Sequence, residues 1–144
     1  MDDQLLLQFT QQVLGQRFQH LQRTLKLDAQ AGLSDDQRQQ LRRLFTDYEW
    51  MLAKKLARQT DDAVILAQQY NEAKFIIARV WLQQPEITTR FVRVEQPDGV
   101  AIHLQLRLQY TAQLMDVLDF VVPAGTATQL ETHKLDLLTW ANQH

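Results

Sequence analysis

The chain has no cysteine. Disulfides, thiolate metal sites, iron–sulfur clusters and a cysteine nucleophile are therefore excluded. Glycine occurs four times and proline three times. Glycines at 15, 32, 99 and 125 are too scattered to cradle a phosphate. Serine occurs once, as Ser34, without the G-x-S-x-G setting that presents a nucleophile. Long apolar runs are missing too: the stretch near the start, Leu5-Leu6-Leu7, falls far short of the roughly 18 residues of a membrane span. The start itself, Met1-Asp2-Asp3, is acidic where a secretory leader is basic. The expectation is a cytoplasmic protein with no membrane association. Charge of one sign is also lacking. Fifteen basic and 17 acidic side chains leave a net charge of −2, which offers no broad positive field to nucleic acid.

What the chain does have is apolar content of 45% over 144 residues, enough to bury roughly two-thirds of its unfolded surface. Glutamine occurs 22 times and asparagine only twice. Glutamine is a fair helix former and asparagine is not, so helices with polar, weakly charged outer faces are expected. The expected organisation is a single α+β domain, 1–144. Its parts are a helical region over 1–84, antiparallel strands over 85–123, and a C-terminal helix over 124–144.

Three long helices are expected first. From Asp2 to about Leu27, the residues Leu7, Leu14, Phe18, Leu21 and Leu25 form one stripe. From about Asp35 to Gln59, a capping box of Ser34 and Gln37 precedes the stripe Leu41, Leu44, Phe45, Tyr48, Met51 and Leu52. From about Asp61 to Gln83, with Thr60 as cap, apolar residues surround the helix except for a narrow strip. That pattern marks the most buried helix, with Tyr70, Ala73, Ile77 and Trp81 as core.

Pro85 ends the helical region. From Val100 to Tyr110 apolar and polar residues alternate, as on a half-buried strand. Pro97-Asp98-Gly99 forms a turn before it. A two-residue loop with Val94 opposite His103 and Arg93 opposite Leu104 mixes faces. A three-residue loop pairs Val94 with Ile102 and Val92 with Leu104, and sets Arg93 beside His103 on the other face. The second face would then show Phe91, Arg93, His103, Gln105 and Arg107. Residues 111–122 fit either helix or strand. As a third strand they set Leu118, Phe120 and Val122 against Leu106, Leu104 and Ile102. A capping box of Thr128 and Glu131 opens the last helix, about Gln129 to Ala141.

Chemistry-bearing groups are few. His133 and Asp136 at i,i+3, with Glu131 nearby, could supply two ligands from one helix face. A metal site needs more ligands than that, and a solvated helix end accounts for them better. No catalytic residue, cofactor or metal ligand is expected. Asp116 and Asp119 point to opposite faces of a strand and make no acid pair. Arg38, Arg42, Arg43, Lys54, Lys55 and Arg58 make the second helix locally basic, but Asp35, Asp36, Asp47 and Glu49 offset them. Trp50 lies about 180° from Leu41 at 100° per residue, with Ala53 and Ala57 on its side. This face wants a second partner surface, either the chain's own sheet or another chain.

With no catalytic set, the leading expectation is a non-enzymatic interaction or structural module. It would act as a homodimer with Trp50, Ala53 and Ala57 at the interface. The alternatives are a small-ligand or enzymatic pocket between sheet and helices, and a regulator touching nucleic acid through the second helix.

Overall fold

The computed structural model describes residues 1–28, 30–96 and 99–144. The architecture is α+β: helices first, then a three-stranded antiparallel sheet, then short helices. Two compact units divide within one helix, Met1–Asn71 and Glu72–His144. Among the described residues no helix is long and apolar enough to cross a membrane.

The expected first helix is two helices, α1 (Asp3–Leu14) and α2 (Arg17–Leu25). Gly15 at φ 58° ends α1, a left-handed backbone that glycine adopts without a Cβ penalty. The expected second helix is also two, α3 (Asp35–Arg42) and α4 (Asp47–Ala57). The Ser34–Gln37 box opens α3 as read, but a second box, Thr46 with Glu49, restarts the chain at α4. Glu49 is only 2% exposed, and its carboxylate accepts from the Thr46 backbone N–H at 2.9 Å. Periodicity missed both breaks because the apolar stripe continues across them.

Helix α5 (Ala63–Trp81) is the one long helix. Asp62 rather than Thr60 caps it, its carboxylate accepting from Val64 and Ile65. Its buried residues include Leu66, Tyr70, Ala78 and Trp81, while Ala73 and Ile77 are only half-buried. The first unit's core is aromatic. Phe9 and Phe45 stack at 5.6 Å, and Tyr70 meets both edge-on at 5.2 and 6.0 Å. Such pairs add about 0.5–1.5 kcal/mol each to their area burial.

In the second unit, β1 (Ile87–Gln96), β2 (Gly99–Gln109) and β3 (Met115–Val122) form a sheet in the order β1-β2-β3. The β2–β3 register is the expected one: Leu106 opposes Leu118, Leu104 opposes Phe120 and Ile102 opposes Val122. The β1–β2 register is not. Gln96 opposes Gly99, so Val94 meets Ala101, Arg93 meets Ile102 and Phe91 meets Leu104. This is one residue from the expected pairing, and it turns every β1 side chain to the other face. Val92 and Val94 therefore join His103 rather than Leu104, and Val94 is exposed. The physical reason is that β1 has apolar residues on both faces, so burial does not choose its register. In the observed ladder Gln96 stands opposite Gly99, which has φ 134°. The rest of the expected turn, Pro97 and Asp98, lies outside the described residues.

One face of the sheet carries Phe91, Leu104, Leu106, Leu118 and Phe120 and is covered by helices. Phe120 packs on Phe75 of α5 at 4.9 Å and on Trp140 at 5.3 Å. The single C-terminal helix expected from the sequence is instead α6 (Ala124–Glu131) and α7 (Leu137–Asn142). Thr128 is inside α6, its hydroxyl donating to the Ala124 carbonyl, and Pro123 stands at the cap position. Asp136 caps α7, accepting from the Thr139 backbone.

Candidate functional site

Three places carry the residues singled out in the sequence. The first is the face of the sheet opposite α6. Gln105 sits at the centre of a cross. Arg90 opposes it on β1, Asp119 opposes it on β3, and His103 and Arg107 flank it along β2. The polar atoms form a directed chain. Arg107 Nη2 donates to Gln105 Oε1 at 3.1 Å, Gln105 Nε2 donates to Asp119 Oδ2 at 3.1 Å, and His103 Nδ1 lies 2.7 Å from Asp119 Oδ1. Burial would raise the Asp119 carboxyl. The hydrogen bond and charge of His103 overcome it, helped by Gln105 and Lys74, and hold Asp119 below the usual carboxylate range. Lys74 of α5 also donates to the Asp119 backbone carbonyl.

An ionised Asp119 makes His103 Nδ1 the donor and leaves Nε2 as its second polar atom. Chemically, this arrangement can orient an imidazole; the chain of contacts joins His103, Asp119, Gln105 and Arg107. Sequence alternation placed His103, Gln105 and Arg107 here correctly. It also placed Phe91 and Arg93 here, and the structure moves both to the helix-covered face. There Arg93 lies 3.4 Å from Glu131 of α6. The sequence alone offers Asp119 only a pairing with Asp116, which strand geometry rules out. Its true partners lie on another strand and depend on the β2–β3 register.

The second place is a groove of about 380 Å³ between β1 and the α6–α7 connection. Phe91, Leu130, Leu135 and Leu137 supply its apolar walls, with Glu131, His133 and Asp136 around them. His133 and Asp136 do not share a helix face as expected. His133 sits after α6 at φ 60°, and Asp136 precedes α7. Among the described residues no group of three or more metal-ligating side chains converges.

The third place is α4. Ala53 is fully buried in the first unit's core. Trp50 is half-buried, 6.1 Å from Phe45, with the Arg42 guanidinium 5.4 Å above its ring. Ala57 is half-buried against the same cluster. All three contribute to packing within the first unit. Two of the basic residues nearby are committed to carboxylates. Arg38 forms a two-pronged contact with Asp3, whose carboxyl it holds below its ordinary range. Arg42 pairs with Asp47.

No protein-family model, curated protein or solved structure matches this chain.

Proposed function

We propose that the chain is a non-enzymatic interaction module that acts as a homodimer through the free edge of β1. The observation that carries this reading is the edge itself. β1 is ten residues long, contains no proline and stays in register with β2 throughout, yet among the described residues it pairs on one side only. A long, regular edge strand is a template for strand addition unless it is shortened, bulged or charged. Arg90 and Arg93 restrict how two copies can meet. In an antiparallel ladder, directly opposed residues share a face. A twofold axis through Arg90 or Arg93 would set like charges opposite each other, whereas an axis through Phe91 or Val92 avoids this.

The absence of cysteine makes the test clean. Directly opposed Cα atoms lie about 4.5–5.5 Å apart, within disulfide reach of about 4.4–6.8 Å. A Phe91→Cys or Val92→Cys chain should form an oxidised dimer, and Val100→Cys on β2 should not. Sedimentation of the unmodified chain should give twice the 16.9 kDa monomer mass. A monomer at every concentration would overturn the reading.

A second reading has its own support. The groove beside β1 falls within the roughly 300–1,000 Å³ of small-ligand sites and is walled by apolar side chains with a few polar ones. Phe91, Leu130, Leu135 and Leu137 around it favour a small ligand with an apolar body, and Thr89, Glu131, His133 and Asp136 supply its polar contacts.

A further inference from the structure

We propose that the sheet face opposite α6 binds a small organic carboxylate, held by Arg90 and Arg107 with its apolar body on the neighbouring valines. The charge balance of this face is the starting point. Among the described strand residues Asp119 is the one acidic group on this face, and His103, Gln105 and Lys74 already answer it. Two guanidiniums remain. Among the described residues no carboxylate pairs with Arg90 or Arg107. Arg107 makes a single side-chain contact, to a neutral amide, and its Nε is buried with no hydrogen-bond partner. A guanidinium carries five donors in a planar fork that matches a carboxylate, and an unmade bond on a buried donor costs free energy. This fork is therefore short of an acceptor, in a chain whose net charge is −2.

Position brings the second guanidinium within range. Arg90 opposes Gln105, and Arg107 is the next residue on the same face of β2. The two are diagonal neighbours, with backbones about 7–8 Å apart, and their long side chains can converge on one anion. Gln105 is fixed between Arg107 and Asp119, so it cannot neutralise either arginine.

The surroundings select the ligand's body. Val92 opposes His103 from one side and Val121 from the other, and Val94 follows on β1. Val94 and Val121 are each 40% exposed. A bare anion would leave these side chains in water; an acid with a short hydrocarbon body would cover them. Charge complementarity and exposed valines thus point to the same occupant.

The test uses the full chain and titrates hexanoate, acetate and hexanamide by calorimetry. Hexanoate should bind more tightly than acetate, and hexanamide, which has the same body without the charge, should bind at least tenfold more weakly than hexanoate. Arg107→Gln and the exposed Arg90→Gln should each weaken hexanoate about tenfold or more, which is the loss of a single charge-assisted contact. Equal binding of the amide, or hexanoate affinity unchanged in both variants, would overturn the proposal. So would no binding of hexanoate at all. None of these readings depends on whether the chain dimerises through β1.

Discussion

Asp119 on β3 and His103 on β2 meet at 2.7 Å although neither is the other's partner in the ladder. Asp119 opposes Gln105, and His103 opposes Val121. The contact is diagonal, and the glutamine between them holds the other carboxylate oxygen. Both side chains are only 22% exposed, so the contact is partly buried.

The pair predicts a pH dependence of stability. The Asp119 carboxyl is held below its ordinary value in the folded chain, so the unfolded state binds its proton first as pH falls. The stabilisation is present above the unfolded value, about 3.9, and is lost as pH drops through the lower folded value. Asp119→Asn should cost about 1.5–3 kcal/mol near neutral pH, the range for a charge-assisted hydrogen bond. It should also flatten the acid limb of a urea-midpoint profile. An acid limb identical to that of the parent chain would show that the carboxylate contributes nothing.

The two faces of β3 should respond differently to truncation. Leu118 is fully buried between β2 and the helices, and Leu118→Ala should destabilise by about 2–5 kcal/mol. Val121, exposed on the opposite face, should tolerate alanine within about 0.5 kcal/mol. Equilibrium denaturation compares them directly, and equal losses would contradict the described register.

The restart of the chain at α4 rests on the Thr46–Glu49 box. Thr46→Ala removes the acceptor for the Glu49 backbone N–H and should cost about 0.5–2 kcal/mol. Thr46→Ser keeps the oxygen and should retain most of that stability in thermal melts.

Trp50 packs on Phe45 beneath the Arg42 guanidinium. Trp50→Ala should therefore lower thermal stability by up to about 3–5 kcal/mol, the range for a buried aromatic. Its effect on sedimentation mass should be nil if dimerisation runs through β1. A mutant with an unchanged melt and a halved mass would instead place the dimer contact at Trp50.

Much of the architecture was legible in local patterns. The alternation Ile102, Leu104, Leu106 and Leu108 against His103, Gln105 and Arg107 identified β2 and its two faces, because side chains on a strand alternate strictly. Residues 111–122 fit helix or strand; read as a third strand, Leu118, Phe120 and Val122 fall opposite Leu106, Leu104 and Ile102, the pairing that the sheet has. Helix α5 was readable from its nearly continuous apolar surface. The half of the polar cross that lies on β2 followed from the same period.

What local pattern could not decide was wherever two arrangements bury similar surface. β1 has Ile87 and Phe91 on one face and Val92 and Val94 on the other, so a one-residue slip changes little in its own hydrophobic content. The ladder takes the register that sets Gln96 opposite Gly99. The breaks at Gly15 and before Thr46 interrupt helices whose apolar stripes run on; their signals, a glycine and the T-x-x-E pattern of Thr46 and Glu49, are present in the sequence but the continuing stripe outweighs them. Trp50 and Ala53 count as an outer face only on one unbroken helix. Once α3 and α4 separate, the buried surface includes Ala53. Asp119 gains its role from His103 and Gln105, 16 and 14 residues away. Composition and periodicity determined the order of helices and antiparallel strands and the apolar faces of β2 and β3, because those depend on neighbours along the chain. Register, helix breaks and the partners of polar groups were decided by tertiary structure, because they depend on which distant residues close packing brings within bonding reach.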